Sequence, residues 1–265
     1  MVIKGMKKGF LLLLMLCLVL CGCGGEEPAP TTQAPTIIPT TEAVTEPVTE
    51  ATTIPTDPPV VYHSGLRADG SFDEGTWFIG DSMTCILITD YLMPNNLIGD
   101  ANYTAKYGSQ ITAFADVAMR TGSYNPCVFN PEFEGMTYKE VGDRIGEEVT
   151  SIYLMWGTNF TWNAYADAYI EIVDYLLVTC PNATIHLQLI PIGAEEFVKY
   201  DTVNGWINEA YAHYQELGEE RVFLIDTFTA IGRNHDSGYI HLNDQGNENW
   251  YNAIVEHART NGLVQ

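Results

Sequence analysis

Four residues of this chain have the types and the placement that nucleophilic chemistry needs. Ser82 follows the apolar run Trp77-Phe78-Ile79 and the pair Gly80-Asp81, and it precedes a helical pattern. Its hydroxyl therefore belongs at a helix N-terminus, where backbone N–H groups stabilise developing negative charge. Gly108 closes the run Tyr103-Thr104-Ala105-Lys106-Tyr107, and its missing side chain lets the backbone approach a ligand closely. Asn159 ends Gly157-Thr158-Asn159 behind a third apolar run and offers an amide donor. His241 precedes the last helical pattern and can act as general base. Ser82 taken alone reads as a helix N-cap. With a base and two donors at neighbouring strand ends it reads as a catalytic residue.

The elements that must bring these residues together are legible as alternating runs. Strands are expected at Trp77–Ile79, Tyr103–Tyr107, Ser151–Trp156, Thr184–Ile190 and Arg221–Ile225, each apolar and rich in strand formers. Helical spacing of apolar residues appears after Ser82, through Cys85, Leu87, Ile88 and Tyr91. It recurs over Asn163–Val178, Thr202–Leu217 and about Asp244–Arg259. Strands alternating with helices of this length imply βαβ units and a mostly parallel sheet covered on both faces. Ligands of such sheets bind at the carboxyl ends of the strands, where the four residues fall. The stretch Thr121–Glu148, broken by Pro126, Pro131 and several glycines, reads as an inserted excursion with a short helix.

Gly80-Asp81-Ser82-Met83, Gly108, Gly157-Thr158-Asn159 and His241-Leu242-Asn243 together resemble, in order, the four blocks of the SGNH (GDSL-type) hydrolases. The resemblance implies a flavodoxin-like three-layer α/β/α sandwich on a mostly parallel five-stranded sheet. It implies hydrolysis of acyl esters, often acetyl groups on carbohydrates or lipids, with no cofactor or metal. Ser82 would be the nucleophile and His241 the base, with the N–H groups of Ser82 and Gly108 and the Asn159 side chain as oxyanion donors. One position departs from the pattern. The acid that orients the imidazole stands three residues before the histidine in that family, and here that residue is Gly238. Asp236, Asp226 and a backbone carbonyl remain as alternatives for that role. His235 is a rival base expected to face solvent, and His186 is expected to be a satisfied structural histidine inside a strand. Trp156, Phe160, Trp162 and Tyr239 flank the expected site, where they can stack on a sugar ring or, for Trp156, pack in the core.

The chain outside this region argues for location. Residues 1–22 carry Lys4, Lys7 and Lys8, then the apolar run Phe10–Leu20, the order of a secretory signal. Leu20-Cys21-Gly22-Cys23 resembles a bacterial lipobox, so the mature chain is expected to start at a lipid-bearing Cys23 on the outer face of the cell membrane. Residues 23–60 form a tether. From Glu26 to Val60 there are ten Thr, eight Pro and no aromatic residue, so too little apolar surface exists to offset ordering entropy. At about 3.1 Å per residue such a tether reaches roughly 100 Å. Residues 61–265 suit one domain with a sizeable core. Three of the twelve Lys and Arg lie in the leader, leaving nine against 34 Asp and Glu in the mature chain. A polyanion of that kind repels nucleic acid. The expected partners are an ester substrate on an acylated glycan and a membrane reached only through the lipid. Cys85, Cys127 and Cys180 are too few and too scattered for a disulfide framework or a zinc site.

Overall fold

The five expected strands are all present, and a sixth joins them. The computed structural model describes residues 61–111, 114, 127–159, 165–191, 200–235 and 241–264, with the backbone alone for 127–129 and 165. The leader, Cys23 and the tether lie outside the described residues, as do Phe160, Trp162, Asp236 and Tyr239. The strands are β1 (Thr76–Gly80), β2 (Asn102–Lys106), β3 (Cys127–Phe129), β4 (Ser151–Met155), β5 (Thr184–Gln188) and β6 (Val222–Ile225). Their order is β3-β2-β1-β4-β5-β6. Five strands run parallel, and β3 pairs antiparallel with β2 at the edge. The inserted excursion thus supplies a short edge strand as well as a helix.

The helices follow from caps and apolar faces. α1 (Ser82–Ile86) starts at an Asp81 N-cap and continues as π-helical turns over Leu87–Leu92. α2 (Tyr138–Ile145) begins with a capping box between Thr137 and Glu140. α3 (Tyr165–Thr179) and α4 (Tyr200–Leu217) match the expected spans to within about two residues. Val203, Ile207, Ala210 and Tyr214 form the buried stripe of α4. α5 (Thr227–Ile231) is capped by Asp226, and α6 (Asp244–Thr260) by Asn243.

Strand register builds the core. Tyr103, Phe78, Tyr153, His186 and Phe223 occupy one row across β2, β1, β4, β5 and β6. Phe78 stacks on Tyr153 at 5.0 Å, and Tyr153 on His186 at 4.7 Å. α6 closes this face, bringing His257 to 5.3 Å from His186. Trp77 points to the other face, where its ring lies against Gly142 of α2. Trp250 of α6 donates its indole N–H to Gln188 of β5 at 2.6 Å. Asn204 of α4 clamps the end of β5 by bonding both N–H and C=O of Ile190.

Cys85 and Cys180 are buried thiols outside any disulfide, and burial pushes the Cys180 thiol up to about 12. His186 is structural, as expected, but only half satisfied. Its Nε2 lies 3.3 Å from the His63 carbonyl, while Nδ1 has no hydrogen-bond partner. Burial, and then the neighbouring His257, lowers the His186 pKa to about 3; burial lowers that of His257 to about 4.

A depressed histidine pKa makes the unfolded chain the stronger proton binder below the ordinary value of about 6.5. Stability is therefore full above that pH and declines as the pH falls toward the folded-state values of about 4 and about 3. Urea midpoints should drop between pH 7 and pH 4, and His186→Phe should flatten that slope. An unchanged slope in the variant would exclude His186 as a source of the acid sensitivity.

Candidate active site

The carboxyl ends of β1, β2 and β4 adjoin, and each contributes one turn to the site. The turn after β1 is forced tight. A Cβ on Gly80 would lie 2.1 Å from Thr84 Oγ1 and 2.3 Å from the Met155 carbonyl, so no larger residue fits. Asp81, the next residue, accepts from the Met83 N–H at 3.0 Å and serves as the N-cap. Ser82 is thus the first residue of α1 and not its cap, which leaves its hydroxyl for other work. His241 Nε2 lies 3.1 Å from Ser82 Oγ. That is hydrogen-bonding range for a base and its nucleophile.

His241 is carried into place by the start of α6. Asn243 accepts from the Gly246 N–H at 2.9 Å and donates its amide to the His235 carbonyl. His235 and Leu242 form a backbone bridge, and Leu242 is buried. His235 is half-buried, with Nε2 out of solvent, where the sequence pointed to an exposed ring. Tyr107 meets the His241 imidazole edge-on, ring centres 5.4 Å apart. The acid behind His241 has two sequence candidates. Asp236 is outside the described residues; Asp226 is exposed and accepts from the Thr229 N–H as the cap of α5.

The second and third turns are tied to the first by buried polar groups. Gly108 has φ +72°, a left-handed conformation that favours glycine. The Ser109 hydroxyl beside it lies 2.9 Å from the Lys106 carbonyl and 3.4 Å from the Gly80 carbonyl. It also accepts the Trp156 indole N–H at 2.9 Å. Trp156 is wholly buried, so it belongs to the core and not to a sugar platform. Tyr169 fixes the end of β4 by bonding both N–H and C=O of Trp156. Beyond it, Gly157 and Thr158 donate backbone N–H groups to Asp81 Oδ2 at 3.3 and 3.1 Å. Asn159 follows, half-buried, with its amide nitrogen 3.4 Å from Thr158 Oγ1.

Asp81 is fully buried, and burial raises its carboxyl pKa while its hydrogen bonds to Thr158, Met83 and Gly157 pull it down. Among the described residues no cluster of three His, Cys, Asp or Glu could hold a metal ion. The arrangement places the Ser82 hydroxyl, the His241 imidazole and the Asn159 amide at one rim of the sheet. Sequence reasoning missed Tyr107, Ser109 and Thr158. Their adjacency to Gly108 and Asn159 was the only available signal.

Solved structures share this fold. An active-site mutant of a family two carbohydrate esterase from Clostridium thermocellum superposes with a TM-score of 0.50 at 15% identity, over 71% of this chain and 64% of that one. At that identity the likeness shows a shared α/β fold. A family 3 carbohydrate esterase from Clostridium thermocellum gives 0.49 at 11% identity, covering 70% and 94% of the two chains. A member of the lipolytic G-D-S-L family from Veillonella parvula gives 0.43 at 18%, covering 68% and 96%. No family model and no curated protein matches the sequence.

The Ser109 hydroxyl is where three site turns meet. Ser109→Ala strips the buried Trp156 N–H of its acceptor, which should cost about 1–3 kcal/mol of stability by urea denaturation. A loss below about 0.5 kcal/mol would mean that the turns are held together elsewhere.

Proposed function

We propose that the chain is a serine esterase that removes acyl groups, acetyl first among them, from esterified carbohydrate. The observation that carries this reading is the 3.1 Å contact between His241 Nε2 and Ser82 Oγ. Ser82 Oγ attacks the ester carbonyl as its proton passes to His241 Nε2. The C–O bond to the leaving alcohol then breaks, and the imidazole returns that proton to the alcohol. Water adds to the acyl-enzyme, giving its proton to His241. The carboxylic acid departs, and Ser82 recovers its hydrogen. Through both steps the negative oxygen is held by the N–H groups of Ser82 and Gly108 and by the Asn159 amide.

A carbohydrate substrate is supported by the shared fold with a carbohydrate esterase and by the expected location of the chain. A lipid on Cys23 and the Thr- and Pro-rich tether would hold the domain outside the cell membrane, within reach of wall or environmental polymers. An acidic surface suits neutral glycans better than anionic ones.

The test compares p-nitrophenyl acetate with longer acyl esters and with an acetylated glycan. Turnover should fall as the acyl chain lengthens, and acetate should appear from the glycan. Ser82→Ala should lose about 10³-fold or more, and Asn159→Ala about 10²–10³-fold in kcat. A preference for long acyl chains would reassign the substrate to lipid. Equal rates for wild type and Ser82→Ala would end the serine-esterase reading.

A further inference from the structure

The buried polar contacts between the β1 and β4 turns include one side-chain relay that the proposed mechanism leaves unused. Asp81 is wholly buried, and all its hydrogen-bond donors are neutral groups. One oxygen takes the Met83 N–H from the nucleophile's helix. The other takes two backbone N–H groups and the Thr158 hydroxyl, the last at 2.6 Å. A separation that short is typical of a hydroxyl donating to a carboxylate. Thr158 Oγ1 has then spent its hydrogen on Asp81 and can only accept from its other neighbour. That neighbour is the Asn159 side chain, with Nδ2 at 3.4 Å.

The direction of this chain has a chemical consequence. A side-chain amide presents either its oxygen or its nitrogen along a given direction, and only the nitrogen donates. An acceptor-only hydroxyl oxygen selects the nitrogen. The same nitrogen is the end that an oxyanion requires. We propose that Asp81 and Thr158 are positioning residues, which orient the Asn159 amide as a donor and hold it in register with Ser82. Asn in place of Asp81 could not do this. Its NH₂ would face either the Met83 N–H or the three donors from Gly157 and Thr158.

This inference rests on Ser82 acting as nucleophile and Asn159 as oxyanion donor. A double-mutant cycle on kcat tests it with p-nitrophenyl acetate as substrate. Thr158→Val keeps the shape of the side chain and removes the hydroxyl. It should lower kcat about tenfold or more with KM changed less than about twofold, the pattern of a lost transition-state contact. Thr158→Ser should recover most of the loss. In the Asn159→Ala background Thr158→Val should cost nothing further, because its effect runs through the missing amide. The same loss in both backgrounds, or wild-type kcat in Thr158→Val, would overturn the proposal. Thr158→Ala serves as a second hydroxyl deletion should the valine variant fold poorly, with melting temperatures recorded for each. Ser82→Ala run alongside separates the two levels. Unchanged turnover there removes the esterase reading and this inference together. Ser82-dependent turnover that ignores the Thr158 hydroxyl removes the inference alone.

Discussion

β1 lies between β2 and β4, and the site depends on that placement. Three parallel strands side by side put three exits about 4.8 Å apart at one edge of the sheet. The chain leaves β1, crosses to β2 on one side and returns to β4 on the other. Such a reversal of strand order opens a crevice at the carboxyl ends. Ser82, Gly108 and Asn159 each lie within about four residues of those exits. None is near another in sequence. His241 arrives separately, carried by the N-terminus of α6, which packs on the aromatic row of the sheet. The distance from His241 to Ser82 is therefore a property of how α6 seats on β5 and β6.

Adjacent exits alone would leave the turns free to move by more than the proposed oxyanion chemistry tolerates. Two buried groups remove that freedom. The Ser109 hydroxyl joins carbonyls of the β1 and β2 ends to the indole of Trp156 at the β4 end. The Asp81 carboxylate joins the first turn of α1 to Gly157 and Thr158. A lone carboxylate in the interior is costly unless its lone pairs are filled. Here they are filled by the turns that need fixing. Removing its partners would leave a buried group that the fold does not tolerate. For the proposed esterase the donors would thus be set before substrate arrives, which is the condition for oxyanion stabilisation without reorganisation at the moment of reaction.

The sequence made much of this legible, for reasons that can be named. β1, β4 and β5 are buried on both faces because helices cover both, so their runs stand out. α3, α4 and α6 carry stripes long enough to mark a period. β3 went unread because three residues bounded by prolines and glycines carry no period at all. Asp81 was within reach, since Asp before a helix is a preferred cap. Its second attachment, to residues more than seventy positions away, depends on strand order that no local pattern encodes. Ser109 and Thr158 were hidden for the same reason, being ordinary polar residues until β1, β2 and β4 are laid side by side. Trp156 was ambiguous between sugar platform and core, and the hydroxyl that receives its indole N–H resolved it to core.

The proposed esterase requires that the Ser82 hydroxyl be activated by the imidazole it touches. Labelling with a fluorophosphonate, followed by intact-mass and peptide analysis, tests this without assuming any substrate. A single adduct is expected, on Ser82, whose formation slows about 10³-fold or more in His241→Ala. Labelling that falls elsewhere, or that proceeds at the wild-type rate without His241, would contradict it.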